Sequence, residues 1–163
     1  MGHCISALIL RGNYNADAVR YYDLQGIKLN YDLTMFFIDH YYTACWAEVT
    51  GILGKLPGKS LNLTFPDDLV VAYLIDKISA QTKPLYAVIQ TDYFGGIGEQ
   101  WARVYQGDRF IDENIISINS ALACLGVEPN NGLDEFDTIG LSKYRSMPEY
   151  LEKYHDVAEE WGI

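Results

Sequence analysis

Apolar positions along this chain fall into short clusters whose period changes from one cluster to the next. Cys4 to Leu10 is a short apolar run closed by the turn-like Arg11-Gly12-Asn13, which predicts an interior strand. Asn15 is placed to cap a brief helix through Tyr22, because its side-chain oxygen can accept from the first free backbone N–H groups. Ile27 to Ile38 mixes β-branched, aromatic and alternating residues and predicts an extended segment with at least one strand. Asp39 then opens a helix to Gly51, with Tyr42, Cys45, Trp46 and Val49 as its buried stripe.

After a Gly, Pro and Lys loop over 52–60, Leu61 to Phe65 reads as a short strand. Pro66-Asp67-Asp68 reads as the start of a helix to about Ser79, with carboxylates near the positive end of its dipole. Leu85 to Phe94 and Glu99 to Tyr105 are strand-like runs joined by Gly95-Gly96-Ile97-Gly98, and a hairpin is the expected result. Asp112 to Leu125 predicts a helix with Ile115, Ile118, Leu122 and Leu125 on one stripe and Gly126 as its left-handed terminator. Ser146-Met147-Pro148-Glu149 has the form of a capping box before a last helix whose stripe is Leu151, Tyr154, Val157 and Trp161. Helices and strands intersperse without regular alternation, and the central hairpin implies antiparallel pairing. The expected fold is therefore α+β: a mostly antiparallel sheet with several packed helices in a single domain over 1–163.

Composition narrows what such a domain does. No window approaches the ~18 consecutive apolar residues of a membrane span, and the N-terminus lacks a secretory signal, so a cytoplasmic protein without a membrane partner is expected. The net charge of -10 sets the chain against direct nucleic-acid binding, since phosphate repulsion would have to be overcome. That charge is unevenly placed: residues 1–66 hold five acids and five bases, whereas 67–131 and 132–163 carry -5 each. A basic partner would be steered to the later two thirds.

Few residues suggest chemistry. His3, His40 and His155 share no ligand spacing with each other or with Cys4, Cys45 and Cys124, so no metal and no cofactor is expected. Met1-Gly2-His3-Cys4-Ile5-Ser6 satisfies a loose myristoylation pattern, but it runs into the predicted first strand and no basic cluster follows. Two segments stand out as binding candidates. Asp92, Tyr93, Gly95, Gly96, Gly98, Glu99 and Gln100 form a polar set around a glycine turn. Asp134, Glu135, Phe136 and Asp137 place three carboxylates around one aromatic ring, an acidic patch with Phe136 as either an interface anchor or a core residue.

The stretch Thr91 to Ala102, with Ile118-Asn119-Ser120-Ala121-Leu122 and Asp134 to Leu141, resembles a group of small bacterial cytoplasmic proteins similar to immunity-type proteins that accompany secreted toxins. The resemblance implies no catalytic residues. It implies a binding protein that neutralises a basic partner, such as a toxin nuclease, by presenting carboxylates where that partner expects phosphates. The alternatives are a low-pI housekeeping domain, or a small enzyme or ligand-binding protein sited at the Asp92–Gln100 loop. In that enzyme Asp92 or Glu99 would be acid or base and His40 would come from elsewhere, with Cys45 as a conceivable nucleophile.

Overall fold

The computed structural model describes residues 2–163. Six strands form one fully antiparallel sheet in the order β2-β3-β1-β4-β5-β6, and six helices pack around it, so the fold is α+β. The strands are β1 (Ser6–Arg11), β2 (Gly26–Leu29), β3 (Leu33–Phe37), β4 (Leu85–Phe94), β5 (Ile97–Gln106) and β6 (Arg109–Phe110). The helices are α1 (Ala16–Tyr21), α2 (His40–Thr50), α3 (Val70–Ile78), α4 (Ile118–Cys124), α5 (Glu135–Thr138) and α6 (Glu152–Trp161).

The centre of the sheet explains the apolar runs. Every residue of β3, and Ser6 to Leu10 of β1, is buried, so both faces are covered and neither strand can show the alternation of a half-exposed one. Arg11 closes β1 at the surface. Asn15 caps α1 by accepting from Asp17 and Ala18 N–H, and Asp39 caps α2 by accepting from Tyr42 N–H. The extended segment over 27–38 holds two strands. They are joined at Asn30-Tyr31-Asp32, where Tyr31 and Asp32 take left-handed backbone angles of 63° and 58°.

Other expectations fail for identifiable reasons. Leu61 to Phe65 is not a strand: Asn62 Oδ1 accepts from Thr64 N–H and the chain turns there, a local bond that competes with sheet pairing. α3 starts at Val70, because Asp67 and Asp68 are drawn into ion pairs with Lys55 and cannot serve its N-terminus. α4 starts at Ile118 behind a Ser117 cap, and Asp112 instead closes a turn onto Asn114 N–H. Ser146 makes no capping box; it pairs with Cys4, and Glu149–Leu151 form a 3-10 turn before α6. Val49 and Trp161 are exposed at the ends of their predicted stripes.

The sheet places β4 and β5 as a long hairpin in register from Leu85↔Gln106 to Phe94↔Ile97. Its base is core, with Tyr86, Ala87, Val88, Ile89, Ala102, Val104 and Tyr105 buried. Its tip projects, since Asp92 and Phe94 to Glu99 are all exposed. The candidate residues from Asp92 to Gln100 sit on this arm, and those from Asp134 to Asp137 at α5.

Candidate functional site

Gly95 and Gly96 are the two central residues of the hairpin turn, with φ of 61° and 79°, and a two-residue turn of that hand matches the strand twist. No atom lies within 4 Å of where their side chains would start, so they are required by backbone conformation alone. The loop runs straight into a strand, with no helix N-terminus for a phosphate to meet. Gly98 differs. A Cβ there would fall 1.9 Å from the Asp92 carbonyl oxygen, so glycine lets the two strands approach.

Strand alternation divides the polar set between two faces. Thr91, Tyr93, Gly98 and Gln100 share one, and Asp92, Phe94, Ile97 and Glu99 share the other. On the first face lies a cavity of about 220 Å³. The N-terminal segment builds its first wall by adding a backbone pair, His3 to Tyr93, with both N–H···O bonds at 2.9 Å. His3 Nε2 donates to the Leu141 carbonyl at 3.1 Å, and Nδ1 is hydrogen-bonded to the Thr91 hydroxyl at 2.7 Å. Both nitrogens are occupied by structural bonds.

The opposite wall comes from α4 and α5. Gln100 Nε2 donates to the Tyr93 hydroxyl at 3.2 Å, while its Oε1 accepts from Ile118 N–H at 2.8 Å and ties α4 to the hairpin. Asn119 Oδ1 accepts from Phe136 N–H at 2.9 Å, and its Nδ2 donates to Asp134 at 3.1 Å. Asp134 also caps α5 by accepting from Asp137 N–H at 2.8 Å. Phe136 is half-buried against the core and stands 5.3 Å from the His3 ring, centre to centre. It therefore serves as cavity wall and core residue together.

The two predicted segments thus meet: Tyr93 and Gln100 from the glycine-turn set, Asp134 and Phe136 from the acidic set. Glu135 and Asp137 flank the second pair outside the cavity, as Asp92 and Glu99 do the first. His3, Thr91 and Asn119 complete it without having been expected as site residues. Thr91 was within reach of strand alternation, two positions before Tyr93; the part played by His3 depends on which strand its segment joins.

On the second face Asp92 and Glu99 stand directly opposite each other, with Phe94 and Ile97 beyond them at the tip. Phe94 and Ile97 are 82% and 83% exposed. Leu63 and half-buried Trp101 border the same side near Asp92. Among the described residues neither Asp92 nor Glu99 has an ion-pair partner.

The residues of the enzyme alternative stay apart. His40 starts α2 beside Asp39, stacks on Tyr41, and is held below the usual histidine range first by burial. None of the groups acting on it belongs to the 92–100 hairpin. Burial is also the main cause that raises the Cys45 thiol, which donates to the Tyr154 carbonyl at 3.6 Å. Such a thiol is a poor nucleophile. His155, Asp156 and Glu159 form an exposed trio on α6 whose ligand atoms could approach a cation, and nothing further distinguishes it. No helix among the described residues is long and apolar enough to cross a membrane.

Comparison with protein-family models, curated proteins and solved structures finds no match for this chain.

Proposed function

We propose that this chain is a binding protein that neutralises a basic protein partner, in the manner of an immunity protein, and that the β4–β5 hairpin arm is its principal contact. One observation carries the proposal: Asp92 and Glu99 oppose each other across the ladder at the exposed tip, behind an exposed Phe94 and Ile97 pair. Like charges directly opposite are unfavourable in an antiparallel pair, and large apolar side chains at a projecting tip gain nothing from the free fold. A partner with a Lys or Arg between the carboxylates and an apolar surface against Phe94 and Ile97 relieves both costs. The net charge of -10 adds steering toward such a partner.

Two measurements test it. In the free protein, Glu99→Gln is expected to raise stability by about 0.5 kcal/mol, as removal of an opposed like charge should. Expression of each neighbouring open reading frame, alone and with this chain, is expected to find one Lys- and Arg-rich product that arrests growth unless this chain is present. Rescue should be lost with Phe94→Ser plus Ile97→Ser, and reversal of Asp134, Glu135 and Asp137 should slow association about tenfold at low salt. Absence of any such product, or rescue indifferent to both sets of changes, would refute the proposal.

A further inference from the structure

We infer that the cavity between the hairpin and α5 is a receptor for a single arginine side chain of that basic partner; the inference rests on the binding role proposed above. Its volume of about 220 Å³ falls below the ~300–1,000 Å³ usual for whole small-molecule ligands, which suits one side chain better than a metabolite. Its walls include three rings, those of His3, Tyr93 and Phe136, and one carboxylate, that of Asp134. Aromatic faces attract cations, and a planar guanidinium both stacks on rings and offers several N–H donors at once.

The acceptors match. Asp134 receives neutral N–H donors from Asp137 and Asn119 and has no cationic partner among the described residues, so its charge is oriented but not neutralised. It is exposed, whereas Thr91 on the inner side is buried, which places the negative charge near the mouth. The Tyr93 hydroxyl receives from Gln100 and retains its own acceptor capacity. A compact ammonium would meet the carboxylate; a guanidinium also covers the Phe136 ring and reaches the hydroxyl. The bonds through Asn119 and Gln100 hold these groups in place before binding, which reduces the ordering cost.

N-acetyl-L-arginine amide is the probe, and its neutral isostere N-acetyl-L-citrulline amide is the control. In the wild-type protein, NMR titration is expected to shift the side-chain amides of Gln100 and Asn119 and the Phe136 N–H, saturating with a Kd on the order of millimolar. Citrulline should bind at least tenfold more weakly. Asp134→Ser, which retains a capping oxygen for α5, should lose at least fivefold in arginine affinity with the citrulline response unchanged; a thermal melt verifies that it folds. Equal response to the two probes, shifts outside the cavity, no saturation, or an unaffected Asp134→Ser variant each overturns the inference. Failure here combined with rescue that still depends on Phe94 and Ile97 would remove the arginine receptor and leave the binding role standing. Arginine binding without a growth-arresting partner would do the reverse.

Discussion

Glycines that look equivalent in sequence carry unequal structural burdens. Gly96 needs glycine for its positive φ of 79° and has open space around it, so Gly96→Ala should cost about 1 kcal/mol. Gly98 has no positive φ, but a methyl there would strike the Asp92 carbonyl at 1.9 Å and the Tyr93 Cα at 2.6 Å. Neither atom can rotate away. Gly98→Ala should therefore cost roughly 2 kcal/mol or more, in the range of overpacked sites. Chemical denaturation of the two single variants checks the order, and equal losses would show that the strands separate freely at this point. The sequence marks Gly95-Gly96 as a turn through local chemistry; the close approach at Gly98 is visible only once Tyr93 is seen opposite it.

At the level of elements, the loop between α2 and α3 is clamped to β5 by one buried cation. Arg103 lies 5.9 Å from the Phe65 ring centre and 5.5 Å from that of Phe110, with Asp67 at 3.6 Å. Lys55 holds Asp67 at 3.2 Å and Asp68 at 2.7 Å, and the Thr43 hydroxyl donates to Asp68 at 2.5 Å. Asp67→Ala would leave the buried guanidinium without its anion, a loss on the order of 3 kcal/mol. Arg103→Met keeps apolar bulk between the two rings and leaves Asp67 with Lys55, so it should cost clearly less. Urea unfolding of both variants decides this; an equal or larger loss for Arg103→Met would mean that the cation matters more as a donor than as a buried charge. Residue type placed Pro66-Asp67-Asp68 at a helix start, because a proline and two carboxylates suit that position. Arg103, which competes for Asp67, is 36 residues away in sequence.

Across the whole molecule, burial holds tyrosines neutral well above pH 10. Tyr42 and Tyr86 are pushed far up, and Tyr150 to about 12, in each case mainly by desolvation. Tyr42 donates its hydroxyl proton to the Tyr22 carbonyl and Tyr86 to that of Gly107, bonds available only to the neutral phenol. A phenol whose pKa is higher in the folded than in the unfolded chain leaves the folded state binding more protons between the two values. Stability is thus unaffected by these groups below about pH 10, the unfolded value, and falls as pH rises beyond it. The melting temperature should be flat in this respect from pH 7 to 9 and drop steeply above 10, with the tyrosinate absorbance of the buried phenols appearing only together with unfolding. Ionisation of the buried Tyr42 and Tyr86 in a still-folded protein would contradict it.

What the sequence determined by itself was whatever short-range physics governs. The caps at Asn15 and Asp39, a glycine-rich hairpin connection after Phe94, the buried run of β1 and the antiparallel α+β class all follow from neighbours a few positions apart, though the structure shortens that connection to Gly95-Gly96 and starts β5 at Ile97. So did the choice of the 92–100 and 134–137 segments as candidates. Tertiary structure decided how they are used. Strand pairing sent Asp92 and Glu99 to one face of the hairpin and Tyr93 and Gln100 to the other, because alternation has a sense only after the register is set. It joined His3 to β4 across 88 positions, through the Thr91 bond, and brought Asp134 and Phe136 against the same wall. It also drew Asp67 and Asp68 away from the helix that their residue types suit them to begin. Each of these outcomes is a competition between a local bond and a distant partner of greater reach. A linear pattern contains the first and not the second.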